Sequence, residues 1–203
     1  MIESFYIKIY FVIVIISFLI GMIAPIILIR KKGMDPHGTH GDASILTRLS
    51  AVTIMLWIAF IILYLFMDEI IGNFWIIDFL AADVFIIIGM ILIGLGFIFE
   101  ILGIIALGEN FRIELPVEET KLITTGIYRL MRNPIVFGIF LLMIGSFFTI
   151  PTIINLIIGI MNIITFNSKA IDEEKFLSKR FGNKFEEYKN KVGRYLPFSI
   201  KNK

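Results

Sequence analysis

Long apolar runs constrain the fold of this chain more than any other feature of its sequence. A helix crosses a hydrocarbon core about 30 Å thick with roughly 20 apolar residues, and several runs approach or exceed that length. Of the 203 residues, 58% are hydrophobic and only 18% are charged, whereas an ordinary soluble domain has about 25% charged residues. A soluble fold would leave too much apolar surface in water. The sequence therefore predicts a small integral membrane protein.

The apolar runs predict five transmembrane helices. They lie at roughly Phe5–Ile29, Ile45 or Ala51 to Met67, Val84–Leu107, Ile135–Ile150 and Thr152–Phe166. The first is too long for a signal-peptide core, so we expect it to be retained. Pro151 separates the last two, which predicts a tight helical hairpin that bends near this proline. The short run Phe74–Leu80 cannot cross and is typical of an interfacial segment.

The charges alternate from one predicted loop to the next. The first loop, the third loop and the C-terminal tail are rich in Lys and Arg, whereas the second loop has four carboxylates and no base. The positive-inside rule then places the basic segments in the cytoplasm and the N-terminus outside. We predict an all-α integral membrane protein with one domain, 1–203, in which spans fill 1–93. A cytoplasmic cap is formed by the helix 3–4 loop and an amphipathic helix at roughly Ser168–Val192.

The composition also excludes several kinds of functional site. The chain has no Cys, which excludes disulfides, thiolate metal sites and a cysteine nucleophile. Its formal net charge of +2 is too small for an electrostatic nucleic-acid binder. The only histidines, His37 and His40, lie with Asp35 and Asp42 in a segment rich in Gly and Pro. We interpret this segment as a polar loop rather than a metal site.

Three sequence elements follow one another in the second half of the chain. They are Ala106-Leu107-Gly108-Glu109-Asn110-Phe111, then Leu122-Ile123-Thr124-Thr125-Gly126-Ile127-Tyr128-Arg129-Leu130-Met131-Arg132-Asn133-Pro134, then Glu173-Glu174-Lys175-Phe176-Leu177 with Phe181-Gly182, Tyr188, Val192 and Pro197. Together they resemble the A-L-G-x-x-F, L-V-T-x-G-x-Y-x-x-x-R-[HN]-P and E-E-x-x-L…F-G…Y…P elements of the isoprenylcysteine carboxyl methyltransferase family, a relative of the phospholipid N-methyltransferases. The resemblance covers roughly residues 94–197.

This resemblance implies an integral membrane enzyme that uses S-adenosylmethionine, with its cofactor-binding region at 94–197. The residues it implies as cofactor contacts are Glu173, Tyr128, Leu122, Ile123, Asn133, Pro134 and Thr120, the last at a position where the family often has His. Soluble methyltransferases usually hold this cofactor on a doubly wound sheet, and the chain shows no alternation of strands and helices. We therefore expect the site to be built from helix ends and loops at the cytoplasmic face.

Three ionisable residues are candidates for catalytic work on the acceptor side. Arg132 and Lys169 would hold an anionic acceptor. Lys169 stands where the animal enzymes of the family have an Arg, and it keeps the charge without the bidentate fork. Glu100 lies inside the third span, where an ionisable group is a functional candidate by default. Four roles are open for Glu100. It could pair with Arg132 or Lys169, line the acceptor path, act as a base or have a structural role.

The sequence thus favours methyl transfer from S-adenosylmethionine to a lipophilic acceptor that enters from the bilayer. An isoprenylcysteine-like carboxylate is the preferred acceptor, and the expected partners are this prenylated substrate and membrane lipids. Three alternatives stay open: N-methylation of a phosphatidylethanolamine-type lipid, an NADPH-dependent enzyme like those of the steroid reductase superfamily, and a non-catalytic lipid-binding protein. The sequence specifies no oligomeric state.

Overall fold

Six α-helices make up most of the described part of the chain. The computed structural model describes residues 4–31, 45–111 and 121–196. The helices are α1 (Ser4–Lys31), α2 (Ile45–Trp75), α3 (Asp83–Leu107), α4 (Pro134–Thr149), α5 (Ile153–Phe181) and α6 (Asn183–Lys191). The predicted all-α class is confirmed for these residues. The loop with His37 and His40, and Thr120 of the expected cofactor site, lie outside the described residues.

Four of the described helices are long and apolar enough to cross a membrane. They are α1, α2 as far as Asp68, α3 and α5, whereas α4 is apolar but has only 16 residues. A multi-pass membrane protein is therefore indicated, and the fifth span stays a prediction. The expected hairpin is present, because α4 ends at Thr149, α5 begins at Ile153 and Pro151 lies in the turn between them.

Glycines bring the backbones of α3 and α4 into direct contact. A Cβ atom built on Gly138 would lie 2.6 Å from the backbone oxygen of Gly96, and one built on Gly96 would lie 2.7 Å from the oxygen of Gly138. Gly89 and Gly145 repeat this reciprocal contact at 2.6 Å, about two helical turns away. Small residues allow such close packing between membrane helices. The contact fixes α4 against α3, and with it the start of α4 at Pro134.

Buried polar side chains connect α2 to α4 and to α5. The Trp57 indole N–H of α2 donates a hydrogen bond to Ser146 Oγ of α4 at 3.0 Å. The Asn162 amide of α5 donates to the backbone oxygen of Thr53 in α2, also at 3.0 Å. In a bilayer, polar groups must find partners inside the protein. These bonds therefore specify which faces of α2, α4 and α5 meet.

The C-terminal helix differs from the prediction. No boundary occurs near Ser168, because α5 continues from the apolar run to Phe181 and no Gly or Pro interrupts 160–181. Gly182 ends the helix with a positive φ of 52°, a conformation that glycine adopts without steric cost. The amphipathic segment is thus divided between the last turns of α5 and the short helix α6. As a result, Glu173 and Glu174 lie on an extension of an apolar helix.

Candidate functional site at the start of α4

The Arg132-Asn133-Pro134 element forms the entry to α4. Pro134 is the first residue of the helix, a position where proline costs no helical hydrogen bond because the first backbone N–H groups have no intrahelical partner. A 3-10 turn at Gly126–Arg129 precedes the element, and the Tyr128 side chain of this turn is buried. The element is therefore held between a tight turn and the first turn of a packed helix.

The chain after α6 lies alongside this element. The backbone N–H of Arg132 donates to the oxygen of Gly193 at 2.9 Å, and that of Asn133 donates to the oxygen of Arg194 at 3.0 Å. The Tyr188 hydroxyl of α6 donates to the backbone oxygen of Tyr128 at 2.6 Å. Residues distant in sequence thus form one compact unit at the start of α4.

Glu174 is the centre of a buried ion-pair cluster in this unit. Arg132 donates from Nε to Oε1 at 3.1 Å and from Nη2 to Oε2 at 3.3 Å. Arg194 donates from Nε to Oε1 at 3.0 Å and from Nη2 to Oε2 at 2.8 Å. Asn133 adds a bond from Nδ2 to Oε1 at 3.0 Å. Two bidentate guanidinium groups on one carboxylate make a strong and directional contact.

Arg132 is fully engaged within this cluster. Its side chain is only 8% exposed, and its Nη1 also donates to the backbone oxygens of Lys189, at 3.1 Å, and of Val192. These contacts favour a positioning role for Arg132, which joins α4 to the tail, over direct contact with an acceptor.

The second guanidinium of the cluster is likewise held by Glu174. The hydrogen bond to Glu174 raises the pKa of the Arg194 guanidinium above its ordinary value.

Glu173 has different surroundings from its neighbour Glu174. Its side chain is exposed, whereas that of Glu174 is buried. Lys169 lies one helical turn earlier and acts on Glu173 electrostatically. Burial raises the pKa of the Tyr128 hydroxyl well above its ordinary value, and the charge of Glu173 raises it further. The structure therefore brings Tyr128, Lys169 and Glu173 together beside the cluster, with the Tyr128 hydroxyl protonated at neutral pH.

The other expected site residues lie outside the Glu174 cluster. Leu122 and Ile123 are half-buried in the segment without regular secondary structure before the 3-10 turn. Glu100 is buried in α3, and its Cγ lies 2.8 Å from where a Cβ of Gly138 would be. Among the described residues, Glu100 Oε1 has no hydrogen-bond partner. The open alternative that Glu100 pairs with Arg132 is wrong, because Glu174 takes that arginine.

The sequence interpretation missed the role of two members of the cluster. It does not single out Arg194, and it includes Glu174 as half of a Glu pair and, beside Glu100, as a candidate base for an amine acceptor. One signal was present: Arg194 is the only charged residue between Val192 and Phe198. A single charge in a short apolar stretch near a membrane calls for a buried partner.

Residues 84–184 match the model of the phospholipid methyltransferase family. The chain is 31% identical over 115 residues to a probable protein-S-isoprenylcysteine O-methyltransferase of Oryza sativa subsp. indica, covering 55% of this chain and 60% of the relative. It is also 31% identical over 123 residues to the protein-S-isoprenylcysteine O-methyltransferase of Saccharomyces cerevisiae, covering 59% of this chain and 52% of the relative.

The matched stretch of this chain thus spans between about half and three fifths of these relatives. The family match over residues 84–184 includes the Arg132-Asn133-Pro134 element and the Glu173–Glu174 pair, the parts that the structure brings together. Over residues 84–184, just under half of its length, the chain is therefore similar to the phospholipid methyltransferase family, and it is also similar to the protein-S-isoprenylcysteine O-methyltransferases.

Proposed function

We propose that this protein transfers a methyl group from S-adenosylmethionine to the carboxylate of an isoprenylcysteine-like acceptor that enters from the bilayer. The observation that carries the proposal is the match of residues 84–184 to the family, together with relatives named protein-S-isoprenylcysteine O-methyltransferases. The geometry supports it, because the two elements that carry the sequence resemblance meet at one end of α4.

The side chains around Glu173 fit the chemistry of the methyl donor. S-adenosylmethionine supplies the methyl group on a sulfonium cation. The exposed Glu173 carboxylate suits its ammonium group or its ribose hydroxyls, and the Tyr128 ring suits the adenine or the sulfonium. Leu122 and Ile123, which precede the Tyr128 turn, are proposed to complete the adenosine side, as is Thr120. Asn133 and Pro134 are proposed to shape this wall, since Asn133 is fixed by its bond to Glu174.

Lys169 is the residue we propose to hold the acceptor. A carboxylate acceptor needs no general base, because its free pKa of about 3.5 leaves it ionised at neutral pH. It needs a cation beside the methyl group instead, and Lys169 lies next to Glu173 whereas Arg132 is engaged by Glu174. An amine acceptor would have to lose a proton, and the buried Glu100 carboxylate is the base we would then propose.

Acceptor competition across pH tests this function. Purified protein would receive methyl-labelled donor with either a farnesylated cysteine analogue or phosphatidylethanolamine. We expect methylation of the cysteine analogue to persist at about pH 6, because a carboxylate stays ionised there. Lys169→Ala should raise the acceptor KM or lower kcat on the order of tenfold to a hundredfold, the effect of one lost charge-assisted bond. Donor affinity should stay unchanged, and Lys169→Arg should restore activity.

The opposite outcome identifies the second candidate function. The matching family is described as phospholipid methyltransferases, so an aminophospholipid is the natural competing acceptor. Methylation of phosphatidylethanolamine alone, falling steeply with acid and unaffected by Lys169→Ala, would overturn the carboxylate proposal. Failure of the protein to bind S-adenosylmethionine would overturn methyl transfer itself.

We further propose that the site faces the cytoplasm and the N-terminus lies outside. The alternation of basic and acidic loops supports this orientation. Because the chain has no Cys, single Cys substitutions provide a clean test with a membrane-impermeant thiol reagent. We expect a Cys at Asp78 to be labelled on intact cells and a Cys at Lys121 only after the cells are opened. The reverse pattern would contradict the orientation.

A further inference from the structure

A polar cavity lies beside the candidate site. It is formed between α6 and the turn before the Arg132-Asn133-Pro134 element and has a volume of about 340 Å³. The side chains that matter for its chemistry are Thr124, Arg129, Lys184, Glu187, Tyr188 and Lys191. Neither Glu173 nor Arg132 lines it, so the cavity is separate from the proposed methyl-transfer site.

The cavity carries excess positive charge. Three cations, Arg129, Lys184 and Lys191, line it together with a single carboxylate, Glu187. Within residues 4–31, 45–111 and 121–196, none of these three cations forms an ion pair, whereas Lys189 on the same helix α6 pairs with Glu186 at 3.7 Å. Like charges gathered around one cavity repel one another. A bound anion would offset that repulsion, and an Arg with a hydroxyl and two Lys suits a phosphate group.

The walls of the cavity are held in place by the contacts already described. The Tyr188 hydroxyl donates to the Tyr128 backbone oxygen at 2.6 Å, which joins α6 to the 3-10 turn that carries Arg129. Met131 and Gly193 pair as neighbouring strands do. The backbone segments that carry the cations are therefore held next to each other before a ligand binds, although the cationic side chains themselves are exposed.

The position of Arg129 favours a lipid as the source of this phosphate. Leu130, the next residue, is 51% exposed, and the chain enters the apolar helix α4 at Pro134. A cation and an exposed leucine side by side, close to where the chain enters an apolar helix, match a phospholipid's headgroup and acyl chain. We propose that this cavity binds the phosphate of an anionic phospholipid at a site independent of methyl transfer.

Native mass spectrometry of the full-length protein in detergent tests the site. Phosphatidylglycerol and phosphatidylcholine would be added separately, and inorganic phosphate would be a third arm. We expect one phosphatidylglycerol to be retained in preference to phosphatidylcholine. Each of Arg129→Ala, Lys184→Ala and Lys191→Ala should weaken that binding about fivefold. Lys179→Ala, at an exposed lysine outside the cavity, should leave it unchanged.

Each result decides part of the proposal. Equal retention of both lipids, or full retention of phosphatidylglycerol by the triple Ala variant, would overturn it. Binding of inorganic phosphate without retention of phosphatidylglycerol would support the anion site and overturn its lipid source. A triple variant with unchanged thermal unfolding shows that lost binding does not come from lost folding. Binding of S-adenosylmethionine by that variant keeps this test separate from the test of methyl transfer.

Discussion

The protein joins its helices in two contrasting ways. Along α3 and α4, glycines let two backbones touch, and Gly96 and Gly138 exclude even a methyl group. At the start of α4, a carboxylate between two guanidinium groups joins the helix to the tail. The first contact depends on the absence of side chains, the second on a specific set of charges. Close backbone packing thus fixes α4 against α3, and the ion pairs of Glu174 fix the tail against the start of α4.

The largest expected effect is on the charged contact. Glu174→Ala leaves the Arg132 guanidinium, 8% exposed, without its carboxylate, and loss of one partner of a buried pair costs about 3–5 kcal/mol. We expect a large drop in the thermal unfolding temperature and faster proteolysis after α6. Glu173→Ala is the matched control, because that side chain is exposed. An unfolding temperature equal in Glu174→Ala and wild type would contradict the role of Glu174.

Glu173 should show the reverse behaviour. Glu173→Gln keeps the size of the side chain and removes its charge, so a charge-assisted bond to the donor worth about 1.5–3 kcal/mol is lost. Affinity for S-adenosylmethionine should fall on the order of tenfold to a hundredfold, with unfolding unchanged. Asp172→Asn, next to it on α5, should bind normally. Calorimetry with purified protein measures both, and equal affinity in Glu173→Gln and wild type would remove Glu173 from the site.

The glycine contact should be sensitive to a single methyl group. Gly138→Ala places its Cβ 2.6 Å from the Gly96 oxygen, and overpacking of this kind costs about 1–3 kcal/mol. Gly94→Ala on α3 is the matched control, because no atom lies within 4 Å of its Cβ position. Ala is also the better helix former, so the control should be neutral or slightly stabilised in thermal unfolding. Equal losses in the two variants would mean that α3 and α4 are not in backbone contact.

The boundaries of several helices were predictable because single residues set them. Pro134 begins α4 and Pro151 lies in the next turn, as its missing N–H requires. The continuity of α5 was not predictable from composition. The side chains change from apolar to charged near Asn167, and the backbone stays helical through this change as far as Phe181.

The sequence also could not predict which of the two carboxylates, Glu173 or Glu174, is buried in the ion-pair cluster. Neighbouring residues on a helix point about 100° apart, so only one of two adjacent carboxylates faces the same partner. Which of the two it is depends on where Arg132 and Arg194 lie in space. Arg194 is held there by the backbone bond between its oxygen and Asn133, which the sequence pattern does not reveal.

The unbroken helix α5 has a mechanical consequence. From Asn155, in its first turn, to Glu173 the helix rises roughly 27 Å at 1.5 Å per residue, with no hinge between the hairpin and the carboxylate. Such a rod transmits displacement along its whole length. A displacement or tilt of the hairpin end of α5, such as a bilayer of different thickness imposes on an apolar helix, therefore also displaces Glu173. The hairpin and Glu173 thus move together as parts of a single structural element.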